Sequence, residues 1–267
     1  MAPSSSAQRA AVTNFVSITG APDKVALKYL KNVNFKLNDA VEAYFATTGG
    51  QAGQVKESQL SELFDKLKGP EDSKDALDAD STMSYFQQLG ANLEQASLFI
   101  ALELVQAENI GQISREGFVK GWSSVPAEAN LTAQKQYFSQ LERRLSSDPE
   151  LFKKVYRHAF VAGKEADQRA LSLENATIYW DMLFTLPGFS WIGRTTGIDW
   201  LAQWKAFLSE KWTRSVSRDM WQQVQVFAVK SVDDESLSFY SPEGSWPGVI
   251  DDFVTWYRAK GAMDIDA

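Results

Sequence analysis

The chain has 267 residues, is 44% hydrophobic and 12% aromatic with nine Trp, holds no Cys and carries a formal charge of −7. Such a length and composition support a sizeable core, in one large domain or a small domain plus a medium one, and exclude a disordered chain. The lack of Cys excludes a disulfide framework and thiolate chemistry, which fits an intracellular protein.

At the N-terminus, "MAPSSSAQRA" has no apolar centre of a secretory signal and no Gly after Met1 for myristoylation. With no run of about 18 apolar residues anywhere, no membrane span is expected. Three short helices then fit residues 8–47: "QRAAVTNFVSIT", "PDKVALKYLKNV" and "LNDAVEAYFAT". "TTGGQAGQ" (Thr47 to Gln54) is Gly-rich and nearly uncharged, and is read as a linker over residues 48–58. The remainder, 59–267, repeats helical periodicity without alternating strand runs, so the fold class is all-α. Asp148 before Pro149 and Ser217 before "RDMWQQVQVFAVK" are expected N-caps. Trp200, Leu201, Trp204, Phe207 and Leu208 form one apolar stripe. "PGFSWIGRTTG" (Pro187 to Gly197) reads as an irregular loop. Finally, "SPEGSWPGVIDDFVTW" starts a helix at Pro247, with Val249, Ile250, Phe253, Val254 and Tyr257 on one face. A helical wheel turns Asp251 away from that stripe and sets Asp252 on its flank.

Charge is unevenly spread. Residues 1–50 hold five Lys/Arg against three acids, whereas residues 216–267 hold four basic and nine acidic residues. An acidic C-terminal region argues against nucleic acid and for a basic protein partner. Chemistry is harder to assemble. The only histidine, His158, sits among apolar positions, and there is no phosphate-binding Gly loop and no GxSxG elbow. Asp251 and Asp252 point about 100° apart on a helix, so they do not converge on one substrate atom. Two loops have an EF-hand-like rhythm and lack the ligands for calcium. One starting at Asp72 puts Lys74 and Ala76 at ligand positions and Met83 in the last. One starting at Gln106 puts Ile110 at a ligand position, Gly111 at the turn, Ile113 at the apolar position and Gly117 in place of the bidentate Glu. The expectation is an EF-hand-like pair of helices without metal, in a protein with no cofactor and no catalytic nucleophile.

The first 47 residues resemble a ubiquitin-associated (UBA-like) three-helix domain through the rhythm of "FKLNDAVEAYF". Val12, Phe15, Val25, Ala26, Leu30, Leu37, Ala40, Val41 and Phe45 would form its core. Its first loop reads "TGAPDK" in place of the usual Met-Gly-aromatic motif. The resemblance implies a ubiquitin-binding surface at Thr19, Gly20, Tyr44 and Phe45. The rest resembles the PONY domain of the defective-in-cullin-neddylation family, through "SRDMWQQVQVF" and "SPEGSWPGVIDDFVTW", supported by "ATIYWDMLF", "WKAFLSE" and "LFDKLKGPED".

This second resemblance implies a scaffold-type ligase component, without a nucleophile of its own. Such a protein binds a cullin's C-terminal winged-helix subdomain together with the conjugating enzyme of a Nedd/Rub-type modifier, and promotes transfer to a cullin lysine. The family's Asp-Ala-Asp cullin patch falls on Asp219, Ser245 and Asp251, with a small residue kept at the middle position. Trp221, Trp246 and Asp252 would support it. The pocket for the acetylated N-terminus of the conjugating enzyme falls on Leu98, Ala101, Leu102, Val105, Ile110, Ile113, Tyr179 and Met182. A monomer in nucleus and cytoplasm is expected, and the alternative is a ubiquitin-binding adaptor acting through the UBA-like domain.

Overall fold

The computed structural model describes residues 5–19, 21–165 and 167–263, with side chains left aside at 5–6, 45–53 and 261–263. The chain is all-α, and it divides into two compact units at Gln59/Leu60.

The first unit is built on α1 (Ser5–Thr19), α2 (Asp23–Asn32) and α3 (Leu37–Leu67) as far as Gln59. Phe15, Ala21, Ala26, Leu30 and Ala40 are buried, with Val12, Val25, Leu37 and Val41 packed around them. The expected core is thus recovered apart from Phe45, whose side chain lies outside the described residues. Phe15, Tyr29 and Tyr44 stack edge and face at 5.3–6.3 Å. The turn into α3 takes Asn34 and Phe35 through positive φ, so that the Phe35 N–H donates to the Leu30 carbonyl at 2.7 Å.

The Gly-rich stretch read as a linker differs from expectation, because α3 runs through it without a break. Glycine inside a helix costs about 1 kcal/mol relative to Ala. Good helix formers flank the stretch on both sides, in "LNDAVEAYFA" and "VKESQLSELFDKL", and they carry the helix across. Composition alone pointed to a stop.

The second unit opens with α4 (Ala79–Leu89), α5 (Ser97–Leu104) and α6 (Arg115–Ser123). Strands β1 (Ala76–Leu77) and β2 (Ile113–Ser114) pair antiparallel between them, with Leu77 opposite Ile113. This is the EF-hand-like pair, with one correction of register. If Ile113 is the eighth residue of a loop starting at Gln106, its partner Leu77 places the first loop's start at Pro70, two residues before Asp72. Asp72 then occupies the third position, where its carboxylate accepts from the Gly69 and Asp78 amides at 2.8 and 2.9 Å. It serves as a local backbone cap.

Every residue of α5 is buried, as befits a helix apolar on all sides at the centre of a core. Helix α6 approaches α5 so closely that a Cβ at Gly121 would overlap the Leu104 carbonyl. Around this centre run α7 (Leu131–Arg144), α8 (Pro149–Gly163), α9 (Leu173–Leu183), α10 (Trp200–Lys211), α11 (Arg218–Asp233) and α12 (Gly248–Met263). Asp148 caps α8 through the Leu151 N–H, and Ser217 caps α11 through the Met220 N–H, as the sequence predicts. Helix α12 begins at Gly248, one residue later than read. Pro247 lends its carbonyl to the Ile250 amide at 2.8 Å from outside the helix.

Candidate acidic docking site at two helix starts

Helix α11 is anchored by Trp221, which is fully buried. Its ring lies between Tyr156, at 4.5 Å, and Trp180, at 5.3 Å. Its Nε1–H donates to the Tyr156 carbonyl, while the Tyr156 hydroxyl donates to the Trp221 carbonyl and accepts from Trp180 Nε1, all at 2.8 Å. Reciprocal bonds in a dry interior fix position as well as stability. They hold the first turn of α11, two residues beyond Asp219, rigidly against α8 and α9. Asp219 itself is exposed. A carboxylate in a first turn is favoured by the positive end of the helix dipole, and this one has no ion pair or hydrogen-bond partner among the described residues.

Asp251, in the first turn of α12, stands in a different setting. It is half-buried, and the Tyr240 hydroxyl donates to its Oδ1 at 2.8 Å. Burial, and then the Asp251 carboxylate, push the Tyr240 phenol up to about 12. The guanidinium of Arg258 covers the Tyr240 ring at 5.5 Å. Tyr240 is brought there by a turn that Asp234 organises. The carboxylate of Asp234 accepts from the Ser236 and Ser238 hydroxyls at 2.6 and 2.5 Å and from the Phe239 amide at 3.1 Å. These bonds hold Asp234 down at about 2. Trp246 is partly buried and meets Phe227 and Phe239 edge-on at 5.9 and 6.1 Å, which seats the approach to α12.

The helical wheel assigned the two adjacent acids the wrong way round. Asp251 is the covered one. Asp252 is exposed on a groove of ≈ 790 Å³ between α10 and α12, whose floor includes Phe207 and Trp256. A wheel of α12 alone does not see the segment that folds back over its start. Ser245 is exposed just before Trp246. Among the described residues no hydrogen bond or ion pair joins Asp219, Ser245 and Asp251 to one another, so each presents its oxygens separately.

Of the eight residues expected to line an apolar pocket, Leu98, Ala101, Leu102, Val105, Ile113 and Tyr179 are buried in the main core. Ile110 and Met182 are partly exposed against it. Tyr179 packs edge-on to Phe99 at 5.2 Å, and lies where Gly163 has no side chain to displace it. In the first unit the Thr19 hydroxyl donates to the Phe15 carbonyl at 2.7 Å, and Tyr44 is part of the ring cluster. Gly20 and the Phe45 side chain lie outside the described residues. His158 is half-buried on α8, and burial lowers its pKa against the pull of Glu103.

Sequence reasoning missed Tyr240 and the bond that fastens the Pro187–Gly197 loop. The Glu235 carboxylate accepts from the Thr196 hydroxyl, from the Thr195 amide at 2.5 Å and from the Thr196 amide at 3.0 Å; the hydroxyl first and then the amides keep it ionised to lower pH than a free Glu. Neither residue lies in a periodic segment. The only signal was an aromatic pair, Phe239–Tyr240, ahead of Ser-Pro.

Comparison with known proteins agrees with this layout. The family model described as cullin binding matches residues 133–256, and that of the UBA-like domain matches residues 9–51. Defective in cullin neddylation protein 1 of Pyricularia oryzae is 43% identical, over 99% of this chain and 100% of its own length.

The chain belongs to the defective in cullin neddylation protein 1 family.

Members from Cryptococcus neoformans and Yarrowia lipolytica are 30% and 28% identical, covering 97% and 92% of this chain and 97% and 95% of their own lengths. The cullin-binding match takes in all three patch residues, Asp219, Ser245 and Asp251, as well as Tyr240.

Proposed function

We propose that this protein acts in cullin neddylation as a scaffold. In this reading it binds the C-terminal winged-helix region of a cullin together with the conjugating enzyme of a Nedd/Rub-type modifier, and promotes transfer to a cullin lysine. The observation that carries the reading is the acidic pair at the starts of α11 and α12, within a segment matched as cullin binding. One acid is open to solvent, and the other is held by Tyr240 through Oδ1, while its second oxygen accepts no hydrogen bond among the described residues.

The scaffold supplies no covalent intermediate. It raises the effective concentration of enzyme and target lysine and restricts their orientation, which can lower a barrier by several kcal/mol without any reacting group of its own. The carboxylates take basic residues of the cullin. The apolar pocket for the acetylated N-terminus of the conjugating enzyme is proposed around Ile110 and Met182, the two of its eight residues that are only partly buried, beside the slightly exposed Leu98 and Tyr179. Insertion then has to part the packing over Leu98 and Tyr179.

A reconstituted transfer assay with purified conjugating enzyme, modifier and cullin tests this reading. Asp219→Lys together with Asp251→Lys should return the rate to that without the protein, and an unchanged rate would refute it. The match of residues 9–51 to the UBA-like domain keeps the ubiquitin adaptor as a second reading. Titration of ubiquitin into the full chain, followed at the Thr19 and Tyr44 resonances, decides it.

A further inference from the structure

The groove of ≈ 790 Å³ between α10 and α12 has no role in the function proposed above. Its floor is aromatic. Phe207 is fully buried, and Trp256 lies half-buried beside it, the rings 5.9 Å apart. Ala206 and Ala259, both exposed, line the groove with no more than a methyl group each. Trp256 is fixed before any partner arrives. Its Nε1–H donates to Glu210 Oε2 at 2.7 Å, and its ring stacks on Phe253 at 6.2 Å. A rigid aromatic within reach of solvent gives up little entropy on binding, one reason why Trp so often anchors an interface.

Four charged residues rim the groove, and three of them are engaged within the chain. Glu210 pairs through Oε1 with Lys211 at 2.8 Å. Lys260, at the far end, donates to Gln203 Oε1 at 3.4 Å and sits over the Trp256 ring at 5.2 Å. Asp252 is the fourth, and it has no hydrogen bond or ion pair among the described residues. It stands at the end of the groove nearest the start of α12, directly after Asp251. Its charge reaches the hydroxyl that holds Asp251: after burial and Asp251 itself, Asp252 is a further cause that raises the Tyr240 pKa. The groove is thus continuous with the acidic docking site and opens on a carboxylate that calls for a cation. A second copy of this chain, with its own charge of −7, fits that end poorly.

We propose that the groove takes a second segment of the basic partner that docks on Asp219 and Asp251. In that segment a Lys or Arg pairs with Asp252, and a large apolar side chain packs on Trp256 and Phe207 between the two alanines. The proposal rests on the reading of the acidic helix starts as the docking site, and it adds an apolar anchor to their charges.

The test titrates a purified cullin C-terminal winged-helix fragment into the full chain labelled with ¹⁵N-tryptophan, the Trp256 indole resonance being the one that Trp256→Phe removes. That resonance should shift in a saturable step together with overall binding. Ala206→Gln combined with Ala259→Gln fills the groove at two exposed helical positions without changing charge, and should weaken binding about tenfold, the effect of losing one anchor. Asp252→Asn should weaken it about threefold and reduce its salt dependence. An unmoved Trp256 resonance, or unchanged binding by the glutamine pair, overturns the proposal. If Asp251→Lys still abolishes binding in that case, the docking reading stands and only the groove is excluded. Wild-type binding that ignores Asp251→Lys, or no wild-type binding at all, overturns the docking reading and this proposal with it.

Discussion

The starts of α11 and α12 carry the same element, an acid in the first helical turn, and set it in opposite surroundings. At α11 the backbone is locked from beneath by the Tyr156–Trp221–Trp180 stack, while Asp219 is free in solvent. At α12 the carboxylate itself is held, with Tyr240 bonded to one oxygen of Asp251. The difference teaches that a carboxylate can be made ready for a cationic partner in two ways. A rigid turn carrying a mobile side chain favours long-range attraction and encounter. A half-buried, oriented carboxylate favours a close, desolvated contact, where a charge pair is worth more.

Four substitutions or conditions separate these two roles. The largest effect should come from Asp251→Lys. It removes a partly desolvated contact and leaves a buried tyrosine hydroxyl without its acceptor. We expect cullin-fragment binding to weaken by about 2–5 kcal/mol, mainly through faster dissociation, which surface plasmon resonance would resolve. Asp219→Lys should act chiefly on the association rate and its salt dependence, as exposed rim charges do. Equal off-rate effects for the two would erase the distinction. Tyr240→Phe keeps the ring beneath Arg258 and deletes the hydroxyl. It should weaken binding by about 0.5–1.5 kcal/mol, the net worth of one hydrogen bond, and should bring the dissociation behaviour of Asp251 closer to that of Asp219. Ser245→Ala should change binding by less than about 0.5 kcal/mol, since the hydroxyl is exposed and makes no hydrogen bond among the described residues.

Acid offers a further way to break the comparison. The folded-state pKa of Asp234 lies at about 2, below its ordinary 3.8, because hydroxyl and amide donors hold the charged form. A depressed carboxylate stabilises its turn above the unfolded pKa, and that contribution is lost as pH falls through the folded one. Between about pH 4 and 2 the turn that delivers Tyr240 should therefore loosen, so that Asp251 loses its partner. The start of α11, held by neutral aromatic contacts, should remain. Amide exchange at Phe239 and Trp221, measured across that range, checks the order. Loss of both together would contradict it.

Much of this arrangement was legible in the sequence. Helix starts at Asp148 and Ser217 are stated by single residues whose side chains cap the backbone, and the apolar stripes of α10 and α12 follow from spacing alone. What could not be read depends on segments that return from elsewhere. The exchange of roles between Asp251 and Asp252 is decided by Tyr240, which arrives from a turn with no periodicity. The Gly-rich stretch after Thr47 looked like a break because composition does not register how strongly its flanks favour helix. The apolar pocket that the family resemblance implies falls mostly on residues that build the core, and α5 is buried on every side. Hydrophobicity marked them correctly as interior without saying which of them face a cleft. The EF-hand-like register was two residues off because the acid-rich loop offered Asp72 as a natural first ligand. The β1–β2 pairing shows that this carboxylate caps its own backbone.

The most direct measurement of the central claim is binding of the wild-type chain and of Asp251→Lys to a purified cullin C-terminal winged-helix fragment, at two salt concentrations. Salt-sensitive binding by the wild type that the substitution abolishes is the predicted result. Wild-type binding that survives the substitution unchanged, or no wild-type binding to any of a panel of cullins, would contradict the assignment of the acidic helix starts as the docking site.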